Sequence, residues 1–295
     1  MIVAVVSGKG GTGKTTVATA LAREWSRTGP LVLADCDVEG PNAHHFLPDL
    51  ELVRSHPVEV AIPVIDSEFC QLCGACAGFC GYGALAKLPD RILFIQSECH
   101  SCGGCAIVCP NHAIGEDRRA VGEITVSVRE SLYFLQGRLN IGESRATPVI
   151  EAVLSAAIAH QMRGADVLID GPPGASCPAS AVVAAADICL MVTEPTPFGL
   201  HDLSQIRELI LARGKPMAVI LNRASGEVSD AEIEARCRAW GIPLLLRIPN
   251  DRAIAESYAA GRPPLAAWQD HSRALAGLRE SLRAIATTSK LEEIG

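Results

Sequence analysis

The stretch "SGKGGTGKTT" (7–16) decides how the rest of the chain is read. It follows a short apolar run, Ile2 to Val6. It leads into a segment where Val17, Leu21 and Trp25 recur every four residues. Strand, glycine-rich turn and helix form the context in which G-x-x-x-x-G-K-[ST] cradles phosphate, here through Gly8, Gly13, Lys14 and Thr15. The glycines let backbone N–H groups turn inward around phosphate oxygens, and the helix N-terminus adds partial positive charge. We therefore expect a nucleotide on Gly8, Lys9, Gly10, Gly11, Thr12, Gly13, Lys14, Thr15 and Thr16. Lys14 should reach the β- and γ-phosphates, and the Thr15 hydroxyl should bind Mg²⁺.

Working outward, further apolar strand candidates lie at 31–35, 167–170, 188–193, 217–222 and 244–249. Helical patterns at about 148–163, 178–186, 202–213, 229–239 and 251–260 separate most of them. Such alternation predicts an α/β fold, a doubly wound, mainly parallel sheet covered on both faces. A last helix, about 271–286, carries Leu275, Leu278, Leu282 and Ile285 on one stripe. Its acidic tail and lack of bulky aromatics favour docking on the sheet over lying on a membrane.

Length and composition agree with one large domain plus a small second unit: 295 residues, 48% hydrophobic and 20% charged. A net charge of −7 and 4% aromatics argue against nucleic acid as a partner. No apolar run reaches the roughly 18 residues of a membrane span. The N-terminus lacks the basic start and long apolar core of a signal peptide, so a cytoplasmic protein without membrane insertion is expected.

Residues 66–115 break the α/β pattern. Eight of the chain's 12 cysteines fall here, and the segment repeats itself at an offset of 29 residues. Cys70, Cys73, Cys76 and Cys80 map onto Cys99, Cys102, Cys105 and Cys109. Each set reads C-x₂-C-x₂-C-x₃-C, and the second is followed by Pro110, where the first has Gly81. This is the bacterial ferredoxin run, in which the fourth cysteine ligates the other of two [4Fe–4S] clusters. One cluster should use Cys70, Cys73, Cys76 and Cys109, the other Cys99, Cys102, Cys105 and Cys80. Zinc sites also use C-x₂-C pairs, but three close cysteines plus an x₃ fourth, duplicated, favour iron–sulfur. The sequence thus predicts an inserted α+β 2[4Fe–4S] ferredoxin domain at 66–115, inside an ATPase domain built from 1–65 and 116–295. "DRILFIQSEC" (90–99) should supply a short strand over the second cluster. The unit has little apolar content, so cluster binding should be coupled to its folding.

Lys9 exceeds the general phosphate motif. K-G-G-x-G-K-[ST], here Lys9 to Thr15, resembles the signature of the MinD/ParA/Mrp group of deviant P-loop ATPases (SIMIBI class), to which the nitrogenase iron protein is related. The resemblance implies an ATPase that forms an ATP-bridged homodimer, with Lys9 reaching the partner's nucleotide. It assigns Asp37 to the attacking water, Asp35 to the magnesium and water network, and Asp170 to Mg²⁺ as the Walker-B aspartate. Gly171 to Gly174 would sense the γ-phosphate. "LNR" (221–223) resembles the base-recognition element, placing Asn222 and Arg223 near adenine, with a structural role at the strand end as the lesser alternative for Asn222. Pro249, Asn250 and Asp251 resemble the loop flanking the base, with helix capping the competing role for Asp251. Catalysis would then rest on Lys9, Lys14 and Asp37.

The whole chain resembles members of this group that carry an inserted ferredoxin domain, with "GRLNIGE" (137–143) and "TEPTPFGLHDL" (193–203) as further likenesses. Cys36, Cys189 and Cys237 read as core residues. Cys177 lies seven residues past Asp170, as does a cluster ligand in the nitrogenase iron protein. It is a packing residue, a redox or transfer thiol, or a ligand of a transient cluster. The implied function is nucleotide-coupled electron transfer to a redox partner protein, using ATP/ADP, Mg²⁺ and two [4Fe–4S] clusters. The alternatives are Mrp-type delivery of iron–sulfur clusters to an acceptor and a redox-sensing positioning ATPase.

Overall fold

The computed structural model describes residues 1–268 and 271–292. The elements follow as β1 (Ile2–Val6), α1 (Lys14–Trp25), β2 (Leu31–Asp35), β3 (Glu51–Ile65), α2 (Ala75–Phe79), β4 (Leu85–Lys87), β5 (Ile92–Phe94), α3 (Gly104–Ile107), β6 (Ile114–Arg129), β7 (Leu132–Leu139) and α4 (Thr147–Gln161). Then come β8 (Asp166–Asp170), α5 (Cys177–Ala185), β9 (Ile188–Thr193), α6 (Pro197–Ala212), β10 (Met217–Ala224), α7 (Val228–Trp240), β11 (Leu244–Pro249), α8 (Arg252–Ala259), α9 (His271–Ala276) and α10 (Leu278–Glu292).

Nine strands form one sheet in the order β11-β10-β9-β1-β8-β2-β7-β6-β3. The strands from β11 to β7 pair in parallel, and β6 and β3 extend the sheet antiparallel. Alternation along β1 shows why both faces need helices. Ile2, Ala4 and Val6 join the core under α4 to α7, whereas Val3 and Val5 join the core under α1 and the C-terminal helices. Among the described side chains of the expected last stripe, Leu275, Leu278 and Leu282 are buried on the sheet. Asp166 anchors that region by accepting from the N-terminal amine at 2.9 Å and from Arg279 and Arg283 at 2.5 and 3.0 Å. Gly277 interrupts the expected continuous helix, leaving α9 and α10 as two pieces. Among the described residues, no helix is long and apolar enough to cross a membrane.

The sequence pattern gave no strand between 51 and 65 or 114 and 139, yet β3, β6 and β7 are there. The distal halves of β3 and β6 pair with each other from Glu59↔Ala120 to Ile65↔Ile114, a two-stranded ribbon of mixed burial. Its far end carries the cysteine-rich unit. Within that unit α2 and α3 pack together, and β4 and β5 form a hairpin. Its buried core is small: Cys76, Leu85, Ile92 and Ile114. The strand expected over the second cysteine group is β5, but Ile92 instead lines the void of the first group. The reason is the β4–β5 register, which places Ile92 opposite Lys87 and beside Cys76 in the core.

Candidate functional site

The parallel strands end along one edge, where ligand crevices of open α/β sheets form. From β1 the chain turns through Gly11 (φ 80°) and Gly13 (φ 98°) into α1, conformations that a side chain at either position would strain. At Gly13 a Cβ would also strike the Asn222 amide. The turn opens onto a cavity of about 310 Å³ lined by Gly10, Gly11, Gly13, Lys14, Thr15 and Thr16, with Asp37 beside them. Its far wall is Asn222, Arg223, Pro249, Asn250 and Asp251. Loops after four strands thus bring these sequence-predicted residues together. Asn42 and Tyr258 also line the cavity; neither belongs to a recognisable motif.

Lys14 is almost fully buried. Burial lowers its pKa, while the Asp170 and Asp37 charges oppose that shift. Asp170 is fully buried, and neither carboxylate oxygen has a well-formed hydrogen bond. Burial pushes its pKa up to about 8, the Asp35 charge adds to this, and the Thr15 hydroxyl and Lys14 act against it. A desolvated carboxylate without a partner, beside a threonine hydroxyl, is a donor set suited to Mg²⁺. Asp37 is also shifted up by burial, with Lys14 opposing.

Asp35 is held by bonds from its own loop and from β7. Its oxygens accept from the backbone N–H groups of Asp37 and Ala43 at 3.2 and 3.3 Å and from Gln136 Nε2 at 3.4 Å. It braces the loop that presents Asp37. Burial raises its pKa to about 6, against those hydrogen bonds. Asn222 Nδ2 donates to the Thr12 carbonyl at 2.7 Å, so this amide braces the phosphate loop as well as facing the cavity. Asp251 lines the cavity and caps α8, accepting from Ala253 N at 2.7 Å. Gly171 N and Gly174 N donate to the carbonyls of Val5 and Ser7, both at 3.0 Å, laying the "GPPG" turn along the phosphate loop.

Lys9 points to Glu194 within its own chain, Nζ to Oε1 at 2.7 Å. Arg223 takes the other oxygen at 2.7 Å. Burial raises the Glu194 pKa, but the Lys9 hydrogen bond and both cations outweigh it and hold the carboxyl below its ordinary value. Glu194 belongs to "TEPTPFGL", and local structure explains that motif. Thr196 caps α6 by accepting from Gly199 N at 2.9 Å, and Pro197 occupies the first helical turn. At Gly199 a Cβ would strike the Glu194 carbonyl.

The cysteines fall into two crossed groups. Cys80, Cys99, Cys102 and Cys105 share one cavity of about 460 Å³. Cys70, Cys73, Cys76 and Cys109 line a second, narrower one. The fourth cysteine of each repeat therefore sits with the other repeat's first three. Gly74 (φ 84°) and Gly103 (φ 71°) occupy equivalent points and turn the chain back so that the thiols converge. Among the described residues, no three His, Cys, Asp or Glu side chains converge on a single ion. The void of the second group is only about 10 Å³. Cys36, Cys189 and Cys237 are buried, as expected of core residues, while Cys177 is exposed at the first residue of α5. Burial pushes the Cys189 thiol up to about 12 and Cys237 up to about 11, so both are inert.

Comparison with known proteins bears on the family and the fold. The chain is 29% identical over 265 residues to an uncharacterised protein of Methanocaldococcus jannaschii, spanning 88% of this chain and 90% of that one. A 54-residue stretch is 41% identical to a polyferredoxin of Methanothermus fervidus, covering 17% of this chain and 12% of that one. The fold is similar to that of the septum site-determining protein MinD of Pyrococcus horikoshii complexed with Mg-ADP. That match has a TM-score of 0.56 at 21% identity and covers 98% of each chain. The family model of the CobQ/CobB/MinD/ParA nucleotide-binding domain matches residues 3–265, and the chain belongs to that family.

Proposed function

We propose that this protein binds and hydrolyses Mg-ATP as a homodimer and couples its nucleotide state to electron transfer from two [4Fe–4S] clusters to a partner protein. The observation that carries the reading is the gathering of eight cysteines into two crossed groups in a chain that also forms a phosphate-binding loop. Each cluster, when bound, supplies a one-electron carrier. The polyferredoxin likeness supports the same assignment.

Hydrolysis takes ATP and water to ADP and phosphate. Lys14 and the loop N–H groups hold the β- and γ-phosphates, while Thr15 and Asp170 suit the magnesium. Asp37 orients the attacking water. With most of the barrier lowered by positioning and charge, these groups suffice once bulk water is excluded and the attacking water alone is kept. Lys9 leaves Glu194 and reaches the partner's γ-phosphate, so the Glu194–Arg223 pair holds it in reserve until a dimer forms. Asp251 and Asn222 wall the base side of the cavity. The protein acts in the cytoplasm in this reading.

Anaerobic iron and sulfide quantification with EPR, with and without ATP, tests it. About eight irons per chain and a spectrum that responds to ATP are expected. A stoichiometric iron content with reduction of an acceptor at equal rates in ATP and ADP would sink the coupling. The exposed Cys177 keeps an Mrp-type carrier role as the second reading. Electron transfer predicts that Cys177→Ser leaves iron content and ATP-dependent reduction unchanged. Loss of cluster transfer to an apo-acceptor favours the carrier.

A further inference from the structure

The motif Gly137–Glu143 lies outside the lining of the nucleotide cavity, yet it meets the loop after β2 and, through Arg145, the cysteine-rich unit. At its start, β7 runs beside β2, and Gly137 allows a close approach: a Cβ there would come within 2.7 Å of Val38 Cγ1. Leu139 N donates to the Val38 carbonyl at 2.9 Å, tying β7 to the residue after Asp37. Asn140 then donates to the carbonyls of Val121 and Ala120 on β6 at 2.9 and 3.0 Å. At its end, Glu143 is a buried carboxylate that receives Arg119 Nη2 at 2.6 Å and a fork from Arg145, Nε at 2.8 Å and Nη2 at 3.0 Å. The backbone N–H groups of Ser144 and Arg145 add two more donors at 3.1 Å. The remaining guanidinium nitrogen of Arg145, Nη1, donates to the Cys99 carbonyl and lies 3.5 Å from Ser101 Oγ.

We propose that Arg145 is a positioning residue: clamped by Glu143, it fixes the Cys99–Ser101 segment to the loop beyond Asp37 and makes a cluster held there easier to reduce. This rests on the reading that Cys80, Cys99, Cys102 and Cys105 hold iron–sulfur. The physics has two parts. A fixed cation beside a thiolate ligand stabilises the more negative, reduced form of a cluster. A bidentate arginine–carboxylate pair is rigid, so displacement of the Asp37–Val38 loop reaches Cys99 through Leu139 and residues 140–145 instead of dissipating. The other cysteine group has no comparable link to the sheet among the described residues, so the two sites are unequal.

The test is an EPR-monitored anaerobic redox titration of the whole protein with Mg-ADP or a non-hydrolysable ATP analogue, for wild type, Arg145→Met and Arg145→Lys. In the wild type one of two midpoint potentials should shift with nucleotide. Arg145→Met should lower that potential, leave the other unchanged and abolish the shift. Arg145→Lys keeps the charge without the fork, so it should retain the potential and lose the nucleotide response. Unchanged potentials in Arg145→Met with full iron, equal displacement of both, or a wild type indifferent to nucleotide overturns the proposal. Where Arg145→Met loses iron, a wild-type nucleotide response in Arg145→Lys overturns it. A wild type without iron instead overturns the cluster reading beneath it.

Discussion

Asp170 shows how one side chain can be costly alone and useful with its ligand. Its carboxylate is buried without a well-formed hydrogen bond, and its pKa stands near 8, against an ordinary value of 3.8. A folded-state pKa above the unfolded one favours the protonated fold. That stabilisation is complete below about pH 4 and is lost as pH rises through 8. Asp170→Asn should therefore raise the melting temperature of the nucleotide-free protein at pH 8 but not at pH 4. The same substitution should lower ATP hydrolysis by about two orders of magnitude or more, because the metal loses its charged partner. Calorimetry at the two pH values and a phosphate-release assay check both halves. Glu143 behaves oppositely: Arg145's hydrogen bonds, over opposing burial, hold it at about 2, so its contribution is present at neutral pH and lost on acidification toward pH 2.

At the scale of elements, helix ends carry much of the site. α1 starts at a glycine whose φ of 98° no ordinary residue adopts cheaply, and the turn, not a capping side chain, sets its first N–H groups free for phosphate. α8 is the contrasting case, because Asp251 both caps it and lines the cavity. Asp251→Ala should cost about 1 kcal/mol of stability in chemical denaturation. Asp251→Asn or Asp251→Ser should restore that stability, since either side chain can cap. Titration of the same three variants with ADP separates capping from contact with the nucleotide. If both rescuing variants bind ADP as wild type does, Asp251 acts on the nucleotide only through the helix.

Across the whole molecule, two unlike ways of folding are joined by the β3–β6 ribbon. The sheet buries large apolar clusters on both faces and should stand alone. The cysteine-rich unit has a buried cluster of Cys76, Leu85, Ile92 and Ile114 and little more than Ala84, Cys99 and Ala113 besides, too little for its length. Its stability should come from iron–thiolate bonds. Removal of iron with a chelator under reducing conditions is expected to make residues between the ribbon strands cleavable by protease. The sheet should stay resistant, and ADP binding should persist. Loss of both together would mean that the unit supports the ATPase body.

What the sequence by itself determined is whatever depends on spacing along the chain. The phosphate loop is such a case, because its glycines, lysine and threonine act within one turn. The cysteine repeats are another, since their duplication shows in the spacing, and so are the apolar strands, whose burial leaves a continuous signal. Only the tertiary structure decided what depends on meeting across the chain. The long strands of the ribbon escaped although Val58, Val60, Ile62 and Val64 alternate along β3, because residues 51–57 ahead of them are exposed and Pro57 and Pro63 interrupt the run. Asn222 on Thr12, Lys9 on Glu194 and Arg145 on Cys99 join residues from 46 to 210 positions apart. Such pairs form because the sheet brings strand ends to one edge and the ribbon carries the cysteines beside the loop after β7. The charges were legible as residues, but their partners became so only when the chain had folded.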